Sequence, residues 1–431
     1  MDITRLAFTG EGIGSENGKT YFVAKTVPGD RIRFEKLVEK KKFGRGKILE
    51  LLQASPQRIA PRCKYFDTCG GCHLQHIEPS WLKDEKINQL EQTFARLGPG
   101  HVKVLPIIEA EAWNYRNRLL YHRNDQAQGY RSVHTREILD IETCEIATLE
   151  LNEAWSLVRE KLRLFSATDI PKVFLRSTHD RTLLSFSITD LSIVPKLQKT
   201  FQSISQTYWI YYSIIEQDSY QNHGNEFFPL FDEPKTIFHQ IGDIKYLSYP
   251  QSFSQVNSKM AEIMMNHLIS SIQNLTKQKE APSILDLYCG SGFFTLPLAK
   301  KGYTTLGIEL DRWAIESAQA TTKTLGLGDR ARWRVGKADR LLKKLVAEKE
   351  KFSICVLDPP RKGLEKSMFE WFQSLGIQDL FYISCSPPTL ARDMVHMKNH
   401  GYNLQSVQPF EMFPQTYHIE TLTHFQLDKN H

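Results

Sequence analysis

From about residue 251 onward, the sequence alternates between short apolar runs and longer amphipathic segments, and this alternation constrains the fold more than any other feature. The apolar runs have the length of buried strands and include "SILDLY", "TTLGIEL", "RWRV", "SICVLD" and "DLFYIS". Helical patterns such as "DRWAIESAQATTKTLG" and "PTLARDMVHMKNHG" follow them. Strands that alternate with helices of this length predict a doubly wound parallel sheet. We expect the last run, "TLTHFQL", to add an antiparallel edge strand.

The remainder of the chain predicts two further domains, since 431 residues exceed what one ordinary core accommodates. Residues 1–56 contain short strands with glycine turns, and the alternation in "RIRFEKLV" is strong. This spacing fits a small five-stranded barrel of the oligonucleotide-binding type. Residues 57–250 mix helical and β-rich stretches and are interpreted as an α+β middle domain. The predicted fold is therefore multidomain α/β, with a Rossmann-like third domain at 251–431.

Composition and charge narrow the class of protein. No window approaches eighteen uninterrupted apolar residues and the N-terminus lacks a signal pattern, so we expect a cytoplasmic protein that does not bind membranes. The net charge of +6 is modest, but basic residues cluster with aromatics in "EKKKFGRGK" (39–47) and "NYRNRLLYHRN" (114–124). Such clusters suit phosphates and unpaired bases, which favours a nucleic-acid partner, although either stretch alone could be a solvated surface.

A glycine turn marks the predicted ligand site of the sheet. In "ILDLYCGSGFFT" a strand leads into Gly290 and Gly292, and Glu309 ends the next strand nineteen residues after Gly290. A carboxylate at that place accepts hydrogen bonds from ribose hydroxyls. The dinucleotide-binding fingerprint G-x-G-x-x-G/A requires Gly or Ala at its sixth position, where this chain has Thr295, so a dinucleotide is disfavoured. With Asp286 and "DPPR" (358–361), the turn resembles the S-adenosylmethionine site of class I methyltransferases. The alternative is a tight turn without a ligand.

Two residues near the C-terminus suggest which atom is methylated. Cys385 follows a predicted strand, and Glu420 lies in "FPQTYHIET" with His418 as an alternative base. A thiolate that adds to C6 of a pyrimidine makes C5 nucleophilic, and a general base must then remove the C5 proton. A helix N-terminus after Cys385 would lower its thiol pKa. Cys385 could instead be a small buried hydrophobe, and Arg361 after "DPP" argues against methylation of an amino group.

Five ordered motifs together resemble the RNA uracil-5-methyltransferase family: "FSQVN" (253–257), "DLYCGSGFFT", "LDPPRKG" (357–363), "SCSPPTLARD" and "HIE". The resemblance implies that Cys385 is the nucleophile and Glu420 the base. It also implies that Gln255, Tyr288, Glu309 and Asp358, with the glycine turn at Gly290, surround S-adenosylmethionine. Residues 1–56 are similar to the family's TRAM-type RNA-binding barrel. Phe293 and Lys337 depart from residues that relatives use, which leaves their donor contacts open.

The segment "CKYFDTCGGC" contains three of the seven cysteines, Cys63, Cys69 and Cys72, and suggests a metal site. A reducing compartment disfavours a disulfide, while zinc with His73 or His76 as fourth ligand remains an alternative. In the resembling family the segment holds a [4Fe-4S] cluster with a fourth cysteine well downstream. Cys289 and Cys385 fall in the proposed active site and Cys355 in a strand, so Cys144 is the candidate.

The resemblance also favours a substrate, because relatives with both the barrel and the cluster act mostly on ribosomal RNA. The resulting hypothesis is C5 methylation of a uridine in 23S rRNA, with no obligate protein partner. The alternatives are a uridine in transfer RNA, C5 of an RNA cytosine, or a non-catalytic RNA-binding protein. Phe253 is a candidate for stacking on the target base.

Overall fold

The computed structural model describes residues 1–133, 135, 137–215, 226–277 and 282–428. Residues 429–431, the end of the predicted third domain, lie outside the described residues. In the described part, no helix combines the length and apolarity that a membrane span requires.

The N-terminal residues form a small closed barrel. Its described strands are β1 (Ile3–Leu6), β2 (Gly12–Glu16), β3 (Lys19–Val23), β4 (Arg31–Glu39) and β5 (Phe43–Gln53), in the order β1-β2-β3-β5-β4. An isolated antiparallel bridge between Asp2 and Arg31 joins the chain before β1 to the start of β4, which closes the sheet into a barrel at that end. Of the basic stretch at 39–47, only residues 40–42 lie between strands, because β4 ends at Glu39 and β5 begins at Phe43. That this barrel is of the RNA-binding TRAM type stays a prediction.

Helix α1 (Pro79–Leu97) follows the cysteine segment, and Glu78 caps it by accepting a hydrogen bond from the Trp81 amide (2.9 Å). Its buried apolar side chains are Leu82, Leu90 and Phe94. The last two belong to the same core as the C-terminal sheet. Helix α1 therefore packs on the third predicted domain, although it lies within residues 57–250.

The middle of the chain builds a second sheet around its own core. Its described strands run β11-β10-β9-β8-β6-β7, where only the β9–β10 pair is parallel. Their bounds are β6 (Arg118–Arg123), β7 (Gln128–Gly129), β8 (Lys172–Ser177), β9 (Thr182–Ile188), β10 (Trp209–Ile214) and β11 (Phe228–Pro229). Helices α2 (Leu149–Leu162) and α3 (Val194–Phe201) contribute Trp155, Leu162 and Phe201 to the core.

This sheet buries part of the second basic stretch. Arg123 is 7% exposed and donates hydrogen bonds to the carbonyls of Leu162, Phe165 and Ile170. Arg118 lies over the ring of Phe174. The stretch at 114–124 is consequently not the exposed cationic surface that its composition suggested.

A hairpin of β12 (Ile237–Ile241) and β13 (Ile244–Ser248) precedes the C-terminal sheet and packs against it. The described strands of that sheet run β16-β15-β14-β17-β18-β20-β19. Their bounds are β14 (Ser283–Leu287), β15 (Thr304–Glu309), β16 (Ala331–Val335), β17 (Ile354–Leu357), β18 (Asp379–Ser384), β19 (Tyr402–Phe410) and β20 (Glu420–Leu427). The helices are α4 (Ser258–Thr276), α5 (Thr295–Lys300), α6 (Arg312–Thr324), α7 (Ala338–Ala347), α8 (Met368–Ser374) and α9 (Pro387–Asn399).

The doubly wound sheet is confirmed, with one correction. Strands β14 to β18 are parallel and their side chains alternate between two cores, one on each face of the sheet. The last strand, β20, is antiparallel as expected, but it lies between β18 and β19 and is not at the edge. The last strand in the order is β19, which pairs with β20 on one side and forms a parallel bridge from Phe410 to Ile108 on the other. The predicted domain limits, 1–56, 57–250 and 251–431, remain a proposal.

Candidate active site

A cavity of about 620 Å³ opens at the carboxyl ends of the parallel strands. All five residues predicted to surround the methyl donor line it: Gln255, Tyr288, Gly290, Glu309 and Asp358. Parallel strands end at one edge of the sheet, so β14, β15 and β17 bring together side chains that are remote in sequence. The two residues that depart from the family pattern, Phe293 and Lys337, also line the cavity.

The glycine turn is fixed by backbone geometry and by Glu309. The amide of Gly290 donates to Oε2 of Glu309 (3.1 Å), and the Leu310 and Asp311 amides donate to Oε1 (2.6 and 3.0 Å). Gly292 has a φ of +87°, and a Cβ there would lie 2.5 Å from the Trp333 ring. Only glycine fits this position, because any side chain would meet both backbone strain and the indole.

Carboxyl groups outnumber cations around the cavity, since Lys337 and Lys362 line it together with Glu309, Asp311, Asp339, Asp358 and Glu365. Burial raises the pKa of Asp286 to about 7, and burial with the nearby Glu309 raises the pKa of Asp358 to about 7. Thr295 donates to Oδ2 of Asp286 (2.5 Å), while Oδ1 of Asp286 has no hydrogen-bond partner among the described residues. A ligand that carries positive charge would stabilise the ionised carboxylates.

Cys385 and Glu420 lie side by side at the same edge of the sheet. Cys385 directly follows β18, Glu420 begins β20, and the antiparallel register pairs their neighbours Ser384 and Thr421. Cys385 is half-buried, whereas Glu420 is 8% exposed. Burial raises the pKa of Glu420 well above its usual value, with Asp358 adding to the increase and Arg361 opposing it. The structure therefore places a thiol beside a buried carboxyl group.

The expectation that a helix N-terminus lowers the thiol pKa is wrong for this chain. Burial raises the pKa of Cys385, and the charge of Glu420 raises it further. Helix α9 begins with Pro387 and Pro388, which carry no amide hydrogen and so cannot donate to the sulfur.

Arg361 is the functional candidate that the sequence interpretation missed. Its positive charge and a hydrogen bond to the thiol oppose the increase in the pKa of Cys385. Helix α9 holds this loop, since Thr389 Oγ1 donates to the Arg361 carbonyl (2.9 Å) and Arg392 donates to the Lys362 carbonyl (2.9 Å). The signal in the sequence was a cation at the end of β17, the strand next to β18 in the sheet.

The loop before Glu420 is anchored by residues from far earlier in the chain. Lys86 of α1 is buried and donates to both oxygens of Glu411 (2.8 and 2.9 Å) and to the Thr416 carbonyl (2.9 Å). The amides of His73 and Leu74, directly after the cysteine segment, both donate to the Gln415 carbonyl (2.8 and 3.1 Å). The cysteine segment is thus physically attached to the loop that positions Glu420.

Cys63, Cys69, Cys72 and Cys144 line one small cavity of about 150 Å³. Burial raises the pKa of each thiol, that of Cys72 to about 12. Among the described residues, no group of three or more His, Cys, Asp or Glu is arranged to hold a metal ion. The metal assignment is therefore not confirmed and stays a prediction.

The donor set nevertheless fits a sulfur-ligated group better than the histidine alternative. His73 packs on the ring of Tyr417 (4.7 Å between centroids) and Nε2 of His76 lies 3.4 Å from the Thr26 carbonyl. Neither histidine lines the cysteine cavity. Cys289 and Cys355 are buried in the C-terminal unit, as the elimination that left Cys144 had assumed.

Comparison with known proteins agrees with this geometry. The sequence model of the tRNA (uracil-5-)-methyltransferase family matches residues 239–427. The 23S rRNA (uracil(1939)-C(5))-methyltransferase RlmD of Shewanella woodyi is 30% identical over 99% of this chain and 95% of its own length. The chain belongs to the RNA uracil-5-methyltransferase family. As a member of this family, it is an RNA (uracil-5-)-methyltransferase.

Other relatives of this uracil-5-methyltransferase span its whole length. An uncharacterized RNA methyltransferase of Protochlamydia amoebophila is 30% identical over 99% of this chain and 96% of its own. Among solved structures, the Pyrococcus abyssi tRNA (uracil-54, C5)-methyltransferase in complex with S-adenosyl-L-homocysteine superposes with a TM-score of 0.76. It covers 99% of both chains at 23% identity, which establishes a shared fold.

Proposed function

We propose that this uracil-5-methyltransferase uses S-adenosylmethionine to methylate C5 of a uridine in 23S rRNA through a covalent adduct with Cys385. The observation that carries the proposal is the adjacency of Cys385 and Glu420, with Arg361 beside both, at the sheet edge where the acidic cavity opens. When bound in that cavity, S-adenosylmethionine supplies an electrophilic methyl group on a cationic sulfonium. Glu309 and Asp358, which line the cavity, would provide the compensating negative charge.

In the proposed mechanism Cys385 adds as a thiolate to C6 of the uracil, forming a C–S bond and moving electron density to C5. C5 then attacks the methyl carbon, the bond from that carbon to the sulfonium sulfur breaks with its electrons going to sulfur, and S-adenosylhomocysteine is left. Glu420 then removes the C5 proton. The electrons of that C–H bond restore the C5–C6 double bond and expel the Cys385 thiolate. Arg361 stabilises the thiolate before addition and after release, because its guanidinium hydrogen-bonds the sulfur. Glu420 can accept the C5 proton only as a carboxylate, so it must lose its own proton before it acts as the base.

Reaching C5 and C6 requires the uridine to leave its stack, which costs a few kcal/mol. Phe253 is 67% exposed at the rim of the donor cavity, so its ring is free to stack on an extruded base. The exposed Lys40, Lys41 and Lys42 between β4 and β5 supply cations for phosphates, consistent with an RNA-binding role for residues 1–56.

The four clustered cysteines are proposed to hold a [4Fe-4S] cluster. Four thiolates are the donor set that such clusters use, and metal binding would deprotonate thiols whose pKa burial has raised. The group serves folding and RNA positioning in this proposal, because the methyl transfer contains no redox step.

The ribosomal target rests on the Shewanella woodyi relative, whose name assigns it to 23S rRNA. Transfer RNA is the second candidate, because the Pyrococcus abyssi enzyme with the same fold is named for tRNA uracil-54. C5 methylation of cytosine and a non-catalytic role fit this family less well.

The proposal predicts the release of tritium from RNA labelled at C5. Transcripts of 23S rRNA and of transfer RNA, each made with [5-³H]uridine or [5-³H]cytidine, would be incubated with the enzyme and S-adenosylmethionine. We expect tritium in water only from uridine-labelled 23S rRNA, and only with the donor present. Release from transfer RNA alone would move the target to the second candidate, whereas cytidine release or no release would refute the reaction.

A further inference from the structure

Arg176 of β8 is buried away from any carboxylate of the described residues. It is 1% exposed, and among the described residues no carboxylate forms an ion pair with it. Burying an unpaired guanidinium is costly unless every donor is satisfied by oriented acceptors. Its acceptors lie outside the middle sheet, in the hairpin of β12 and β13 and in the segment that follows this hairpin.

The guanidinium holds the segment that leads into "FSQVN". Nη1 donates to the carbonyls of Pro250 (3.3 Å) and Ser252 (3.0 Å), and Nη2 lies 3.5 Å from Ser248 Oγ. Nη2 also lies 3.4 Å from Nδ1 of His239. Burial and Arg176 lower the pKa of His239 to about 3, so the ring is neutral and Nδ1 accepts the hydrogen bond.

These contacts shape one wall of the donor cavity. Ser252, Phe253 and Gln255 of the held segment line it, and so does His239. The His239 ring stacks on Tyr246 with 12° between the planes, and the Tyr246 hydroxyl donates to the Phe293 carbonyl of the glycine turn (3.0 Å). The network thus runs from the middle sheet to both sides of the donor cavity.

We propose that Arg176 is a positioning residue for donor binding: from the middle sheet it fixes the 248–255 segment and His239 against the cavity. The inference rests on the proposed function, because it takes the cavity as the donor site. Arginine suits the task, since its planar fork reaches two carbonyls and the histidine at once, whereas lysine has a single donor centre.

The middle domain offers a matched control in Arg123. This arginine is also buried and also donates to main-chain carbonyls, those of Leu162, Phe165 and Ile170. Its acceptors surround the end of α2, and none of them lines the donor cavity. Loss of Arg123 should therefore lower stability alone.

The test compares Arg176→Lys and Arg176→Gln with Arg123→Lys and Arg123→Gln in the full-length protein. The Gln variants carry no buried charge, so they test the role even if a stranded lysine prevents folding. S-adenosylhomocysteine affinity would be measured by calorimetry, RNA affinity by anisotropy and stability by thermal unfolding. We expect the Arg176 variants to weaken S-adenosylhomocysteine binding at least tenfold, with RNA affinity within about twofold of wild type. The Arg123 variants should retain donor affinity at a similar loss of stability.

Unchanged donor affinity in both Arg176 variants would overturn the proposal, and so would equal weakening in the Arg123 variants. Failure of the wild-type protein to bind S-adenosylhomocysteine would instead overturn the proposed donor site itself. The two failures are therefore distinguishable.

Discussion

Cys385 lies between two opposing charges, and the balance between them determines how much thiolate is present. Arg361 lowers the pKa of Cys385 while burial and Glu420 raise it. We predict that Arg361→Gln raises the thiol pKa and shifts the rising limb of the rate of adduct formation by about one pH unit toward alkaline pH. The sign follows because the thiolate is the reactive form. The measurement is a pH–rate profile with 5-fluorouridine RNA.

The control for this shift is Lys366→Gln, which removes an exposed cation from the same loop region. Its profile should coincide with that of the wild type. Coincidence of the Arg361→Gln profile with wild type would contradict the role of Arg361.

Glu420 acts in the proposed mechanism only after the methyl group has been transferred. We therefore predict that Glu420→Gln accumulates a methylated covalent adduct on ordinary uridine RNA and turns over at least about a hundredfold more slowly. Denaturing gel electrophoresis and mass spectrometry would detect the complex. Wild-type enzyme on the same RNA is the control and should accumulate none. If Glu420→Gln turned over at the wild-type rate, the base would be another group, such as His418.

Among individual residues, the sequence predicted the location of those that lie at the ends of parallel strands. Tyr288, Gly290, Glu309 and Asp358 follow or end parallel strands, so the strand pattern placed them at one edge, and the structure brings them into one cavity. Lys86 was not predicted, because its partner Glu411 is 325 residues away and nothing local marks a lysine on an apolar helix face as functional.

Helix α1 is joined to the loop before Glu420 through that lysine, although the two elements are distant in sequence. Lys86→Met would leave Glu411 buried without a cation, so we predict a loss of about 3 to 5 kcal/mol in the free energy of unfolding. Its matched control on the same helix is Lys83→Met, which breaks an exposed pair with Glu109 and should cost less than about 1 kcal/mol. Urea denaturation would measure both. Equal, small losses in the two variants would contradict the anchoring role.

Hydrophobic pattern predicted the elements of the C-terminal sheet better than their order. The run "TLTHFQL" was expected at the edge, yet β20 is inserted between β18 and β19. The first four residues of β20 are all buried, including Thr421 and Thr423. Burial of polar residues on a strand cannot be predicted from the hydrophobic pattern. Alternation gives the type and length of a strand, whereas its neighbours depend on connections that only the folded chain reveals.

The whole molecule brings Cys144 to a segment that precedes it by more than seventy residues. We predict that Cys144→Ala loses the iron and the brown chromophore of the purified protein, because three thiolates hold a [4Fe-4S] cluster poorly. Cys355→Ala is the control: this cysteine is buried in β17, away from the cavity, and its loss should leave the iron content unchanged. Elemental analysis and absorbance spectroscopy would measure both variants.

Zinc in the wild-type protein at one equivalent would contradict the iron assignment. Unchanged iron in Cys144→Ala would refute the fourth ligand. The attachment of His73 and Leu74 to the Gln415 carbonyl suggests what the group does, since a disordered cysteine segment would release the loop before Glu420.

The covalent step through Cys385 is the central claim of the proposed mechanism, and it depends on Cys385, Glu420 and Arg361 lying together at one edge of the sheet. The most direct test incubates the enzyme and S-adenosylmethionine with 23S rRNA fragments containing 5-fluorouridine. In this nucleotide fluorine replaces the C5 hydrogen, so the base has no C5 proton to remove. We predict a denaturation-resistant protein–RNA adduct with wild type and with Cys355→Ala, and none with Cys385→Ala. An adduct that survives Cys385→Ala, or no wild-type adduct on an RNA that the enzyme methylates, would contradict the account.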